Sequence, residues 1–158
     1  MKGKKIFIAL LVVLAVTAGI VLAGCLGSDD GFNGDTALNG TWVRWSGTSI
    51  LQFDNGNFDY FEDTPFYRGT YTTDNGRVIE KWTHIYSGNN RVKNTFLEFG
   101  LETNRWYSMS DLKSLGGAYF SYIIFMEGID SGTFEKDPIS YYVQGNRLYY
   151  GEATYTRQ

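Results

Sequence analysis

Residues 50–86 read ILQFDNGNFDYFEDTPFYRGTYTTDNGRVIEKWTHIY. Aromatic and β-branched runs (Ile50 to Phe53, Phe58 to Phe61, Tyr67 to Thr73, Val78 to Tyr86) are separated by Asp54-Asn55-Gly56-Asn57 and Asp74-Asn75-Gly76. Such runs suit pleated, half-covered strands. Asn-Gly steps supply the positive backbone angles of tight hairpins, which makes consecutive strands antiparallel neighbours. The same grammar continues outward. Thr41 to Trp45 precedes the quoted stretch, and Ile139 to Val143 and Arg147 to Tyr155 flank Gly145-Asn146. Tyr119 to Met126 is apolar on both alternating faces and reads as a covered strand. The expected fold class is therefore all-β, an antiparallel up-and-down β-barrel of about eight strands with one short helix. That helix is expected after Ser108-Met109-Ser110-Asp111, with Leu112 and Leu115 on one face and Gly116-Gly117 as its stop. Ser87 to Gly117 is the longest irregular piece, with a further strand expected around Thr95 to Phe99. A connection this long usually covers or binds something.

Composition narrows the function classes. The chain has 158 residues, 17% aromatic and 20% charged, with one Cys, one His and a net charge of −3. One Cys builds no disulfide framework, and with one His it makes no tetrahedral zinc site. The balance of charge gives no basic field for nucleic acid. So high an aromatic fraction supports a packed core rather than disorder.

The N-terminus has its own pattern. Lys2, Lys4 and Lys5 precede the apolar run Ile6 to Leu22, which is at the short edge of what spans a bilayer. Leu22-Ala23-Gly24-Cys25 follows, and it resembles the bacterial lipobox. That resemblance implies a lipoprotein signal peptide over 1–24 and acylation of Cys25, with palmitate-type chains anchoring the protein to a membrane. A flexible acidic tether is expected over 25–37 and the barrel domain over 38–158. Removing residues 1–24 takes away three lysines, so the net charge falls from −3 to −6, while 26 of the 27 aromatics stay. An acidic body is repelled by an anionic membrane surface, so the lipid must do the holding.

Three short motifs carry a second resemblance: Asn39-Gly40-Thr41-Trp42, the Phe53 to Phe58 hairpin and Gly69-Thr70-Tyr71-Thr72. Across Leu38 to Arg157 the chain is similar to small bacterial lipocalin-like (calycin-type) lipoproteins. In those families a Gly-x-Trp motif opens the first strand, and a cation from the last strand packs over the Trp ring. The resemblance implies barrel closure by Trp42 and Arg157. It also implies a bacterial cell-envelope location, at the outer membrane or cell surface rather than the cytoplasmic membrane. The triplets Gly40-Thr41-Trp42, Gly69-Thr70-Tyr71 and Gly132-Thr133-Phe134 have no fixed period. They read as a shared way of entering a strand, with Gly for close backbone approach.

Catalytic chemistry finds little support, and no enzyme is expected. There is no Gly-x-Ser-x-Gly elbow, and Asp54 to Asp59 is a turn rather than a calcium loop, because Pro65 stands where the closing Glu is needed. No metal and no cofactor are expected. His84 shares alternation with Glu80 and Trp82, which would make a polar triad if that face points inward. Ile79, Lys81, Thr83 and Ile85 form an equally good inner face. The ligand-lining candidates are Trp82, His84, Tyr71 and Phe53. The expected function is non-enzymatic binding of a small apolar or amphipathic ligand. The alternative is a solidly packed barrel that binds an envelope protein or a glycan through its outer face or the 87–117 segment.

Overall fold

The computed structural model describes residues 34–158. The expected signal segment, Cys25 and the first part of the tether lie outside the described residues. Among the described residues nine strands form in chain order: β1 Gly40–Arg44, β2 Ser49–Asp54, β3 Asn57–Glu62, β4 Thr64–Asp74, β5 Arg77–Tyr86, β6 Trp106–Ser108, β7 Ile139–Gln144, β8 Arg147–Tyr150 and β9 Ala153–Arg157. Eight close a ring through the antiparallel pairs β1–β2, β2–β3, β3–β4, β4–β5, β5–β7, β7–β8, β8–β9 and β9–β1. β6 adds outside that ring, beside His84 to Tyr86. β7 meets β5 only at Arg77 and Val78. Further along β5 its edge is taken by residues 134–136: Trp82 donates to the Phe134 carbonyl and Lys136 to the Glu80 carbonyl, each at 2.9 Å.

The Asn-Gly turns form as expected, with Asn55 and Gly56, and Asn75 and Gly76, all at positive φ. At this end of the barrel a 3-10 turn, Thr36–Leu38, is capped by Asp35 and buries Leu38. The Tyr141 hydroxyl donates to the other Asp35 oxygen at 2.9 Å. Asp35 and the turn it caps thus pack at the base of the barrel.

Three expectations are corrected. Tyr119 to Met126 is not a strand but the centre of helix α3, Gly117–Glu127. The sheet edge it would need beside β5 is already used by 134–136, and Gly128, in the left-handed region, caps the helix carbonyls of Ile124 and Phe125. Thr95 to Phe99 lies largely in helix α1, Lys93–Glu98, and the expected short helix is α2, Met109–Leu115. Arg147 to Tyr155 is two strands, because the chain reverses at Gly151 (φ 57°) and Glu152. The count of eight barrel strands survives because one strand is lost at α3 and another gained at β9.

Candidate functional site

The lower barrel is filled. Leu38, Trp42, Phe53, Phe58, Tyr71, Val78, Trp82 and Leu148 are all buried. Phe53 and Tyr71 meet edge to face with centroids 4.9 Å apart. The Trp42 indole donates to the Leu38 carbonyl at 2.6 Å. The Arg157 guanidinium carbon sits 4.3 Å from the Trp42 ring centroid, across the β1–β9 pair. Phe53, Tyr71 and Trp82 therefore belong to the packed core rather than to an open space.

His84 leaves that face altogether. In the β4–β5 ladder Gly69 pairs with Trp82 and Arg68 with His84, so Thr83 is an extra residue. A bulge of this kind switches the faces of the strand residues beyond it. Val78, Glu80 and Trp82 point inward before it and Ile85 after it, all buried, while His84 turns outward and is only half-buried. Burial, then the nearby Arg68 charge, hold the His84 imidazole below its ordinary pKa. The expected triad thus keeps two members, Glu80 and Trp82, and the third is Tyr150. Its hydroxyl donates to Glu80 Oε1 at 2.5 Å, and the Trp82 indole donates to Oε2 at 3.2 Å.

At the opposite end from Trp42 the filling stops. A cavity of about 250 Å³ is lined by Leu51, Tyr60, Tyr67, Ile139, Tyr150 and Tyr155, with Arg91, Glu127 and Lys136 at its polar side. That volume is just under the usual range of about 300–1,000 Å³ for small-molecule sites. It suits a small ligand. Tyr67 stacks on Trp82 with centroids 3.6 Å apart, tying the cavity wall to the core. Arg91 reaches the rim from the irregular segment after β5. Asn89, itself buried, fixes that segment by donating to the Glu62 carbonyl and to Thr64 Oγ1. Arg91 then bridges Glu62 at 3.4 Å and Glu127, at the end of α3, at 3.0 Å. Burial raises the Glu127 carboxyl, partly offset by Arg91. The long connection does cover part of the open end, as its length suggested.

None of Phe53, Tyr71, Trp82 or His84 lines this cavity. The tyrosines that do line it were legible only as members of alternating strands. Arg91, Glu127 and Lys136 carry no sequence signal, because loop and helix packing bring them together. The final hairpin places its tyrosines as its alternation suggests: Tyr150 inside, and Tyr142 stacked on Tyr149 outside at 4.2 Å. Among the described residues no cluster of His, Cys, Asp and Glu is placed to hold a metal. Compared with family models, curated proteins and solved structures, the chain matches none.

The Glu80 carboxyl makes a pH prediction. Burial raises its pKa above the ordinary value of 4.5, against the opposing effects of Tyr150, Lys136 and Trp82. A raised folded pKa means the fold holds this proton more tightly than the unfolded chain does. Its contribution to stability is therefore full below 4.5 and is lost as pH rises through the folded value. Urea midpoints of the parent should fall relative to those of Glu80→Gln as pH is raised from 4.5. Parallel profiles would show that Glu80 titrates normally.

Proposed function

We propose that this chain is a lipid-anchored cell-envelope protein, of the lipocalin-like lipoprotein type, whose barrel holds a small amphipathic molecule at its open end without catalysing a reaction. The observation that carries this reading is the 250 Å³ cavity, where aromatic and aliphatic walls meet hydroxyls and charges at one rim. The anchor rests on the sequence Leu22-Ala23-Gly24-Cys25 behind its basic and apolar segments. A binding role is favoured over catalysis because Glu80 is engaged by Tyr150 and Trp82, and the single histidine faces away from the cavity.

Two measurements test the two halves. Cys25→Ser should move the protein from the membrane fraction to the soluble fraction; continued membrane retention would point to a spanning anchor instead. Native mass spectrometry and tryptophan fluorescence of the full chain should detect binding of hexanol or hexanoate, and Ile139→Trp, which fills the cavity, should abolish it. Absence of binding, or binding indifferent to the filled cavity, contradicts the ligand reading.

One observation favours a second reading, docking of an envelope protein. Helix α3 carries no charge from Gly117 to Met126, yet Phe125 is 83% exposed, with Tyr122 and Met126 also open to solvent. Leu97, Phe99 and Leu115 of the 87–117 segment are exposed as well. A helix apolar all round is normally covered.

A further inference from the structure

Resting on the lipid-anchor reading, we infer that the outward face of α3 is a second membrane contact: Tyr122, Phe125 and Met126 sit among the head groups and upper acyl chains of the leaflet that holds Cys25. Among the described residues the large exposed hydrophobic side chains gather in residues 97–126. They are Leu97, Phe99, Leu115, Tyr122, Phe125 and Met126, against only Trp45 and Tyr142 elsewhere. The last three of the six are at helical spacing and make one face of α3, while Phe120 and Ile123 pack inward.

The chemistry of this side suits lipid. Besides two tyrosines, Ser121 is the only polar side chain between Gly117 and Met126. Its hydroxyl donates to the Gly117 carbonyl at 3.4 Å, the back-bond that satisfies serines in apolar helices. The Glu127 carboxylate that ends the helix is turned to Arg91 at 3.0 Å. Residues 87–127 hold Arg91, Lys93, Arg105 and Lys113 against Glu98, Glu102, Asp111 and Glu127, so their net charge is zero. The −6 of the chain from Cys25 onward lies wholly outside them. An acidic body with one neutral, apolar side approaches a bilayer most favourably by that side.

The length of the tether favours lipid as the occupant. Cys25 and Asp35 are ten residues apart, at most about 35 Å of extended chain, and Tyr141 holds Asp35 at the barrel base. β5, also ten residues, spans about 33 Å. A barrel about as tall as its tether is long can turn any side to the leaflet and cannot drift away from it. Lipid therefore meets the α3 face at a high effective concentration, which a freely diffusing protein does not match.

The test places an environment-sensitive NBD label on Phe125→Cys, and separately on Tyr142→Cys, in the full acylated chain held in phosphatidylcholine vesicles. Lipid without net charge is chosen because Asp130 and Asp137 line the groove beside Phe125. Both labelled positions are exposed, so neither label disturbs the core. The label at 125 should shift to the blue, and should lose most of its emission when the acyl chains are brominated. The label at 142 should do neither, although the adjacent Tyr141 holds Asp35 at the end of the tether. Equal, water-like emission from both labels overturns the inference, leaves the anchor standing and gives the face to an envelope protein. A blue-shifted label at 125 that bromine does not quench assigns the face to a second copy and overturns it too. Labelling of the parent at Cys25, or failure of the chains to float with the vesicles, overturns the anchor reading and this inference together.

Discussion

Trp42→Ala should lower the unfolding free energy by about 3–5 kcal/mol, the usual cost of removing a large buried aromatic side chain. The indole is wholly buried at the barrel base, so its removal leaves a cavity between Leu38 and the first and last strands. It also frees the Leu38 carbonyl from its indole donor and strips the Arg157 guanidinium of its ring. Arg157→Ala should cost less, about 0.5–2 kcal/mol, since it loses a cation–π contact and the hydrogen bond to the Ala37 carbonyl but no buried ring. Against a typical total of about 5–15 kcal/mol, the first loss is large. Urea unfolding followed by far-ultraviolet circular dichroism measures both. Equal midpoints for parent and Trp42→Ala would mean that the barrel does not depend on this closure.

Gly69→Ala is the second severe change. A Cβ at Gly69 would lie 2.0 Å from the Lys81 carbonyl oxygen and 3.1 Å from the Phe58 ring. The first obstacle is backbone, so no side-chain rotation relieves it. β4 and β5 must separate beside the Thr83 bulge, the feature that sends His84 outward and Ile85 inward. Overpacking typically costs about 1–3 kcal/mol and sometimes more, and a rigid partner places this substitution at or above the upper end. Thr70→Ala, one residue along on the exposed face, is the control and should stay near the parent. A melting temperature for Gly69→Ala equal to that of the control would show that the close approach is not needed.

The hairpins were legible because their turns are chemically marked. Asn55-Gly56 and Asn75-Gly76 fix both the reversal and the antiparallel order. Gly151-Glu152 carries no such mark, so β8 and β9 read as one strand. Tyr119 to Met126 misled for a different reason: its aromatic and β-branched residues favour a strand locally, but the edge of β5 is taken by residues 134–136 and the segment is helical, closed by Gly128. The close approach at Gly69 was readable from the Gly-Thr-aromatic triplet. The neighbouring bulge was not, so alternation left both faces open and neither choice placed Trp82 and Ile85 inside with His84 outside. The cavity was the least legible part. Its tyrosines look like any inward strand residues, and its charges arrive from the loop after β5 (Arg91), the end of α3 (Glu127) and the segment that follows it (Lys136).

On the ligand reading, the open end of the barrel, and not its base or outer helix, receives a small molecule. The most direct measurement is the NMR chemical-shift footprint of hexanoate on the full chain. Changes should concentrate at Tyr67, Lys136, Ile139 and Tyr155, with Trp42 and Arg157 at the base unmoved. A footprint confined to Tyr122, Phe125 and Met126 of α3, or no footprint at millimolar hexanoate, would contradict that reading.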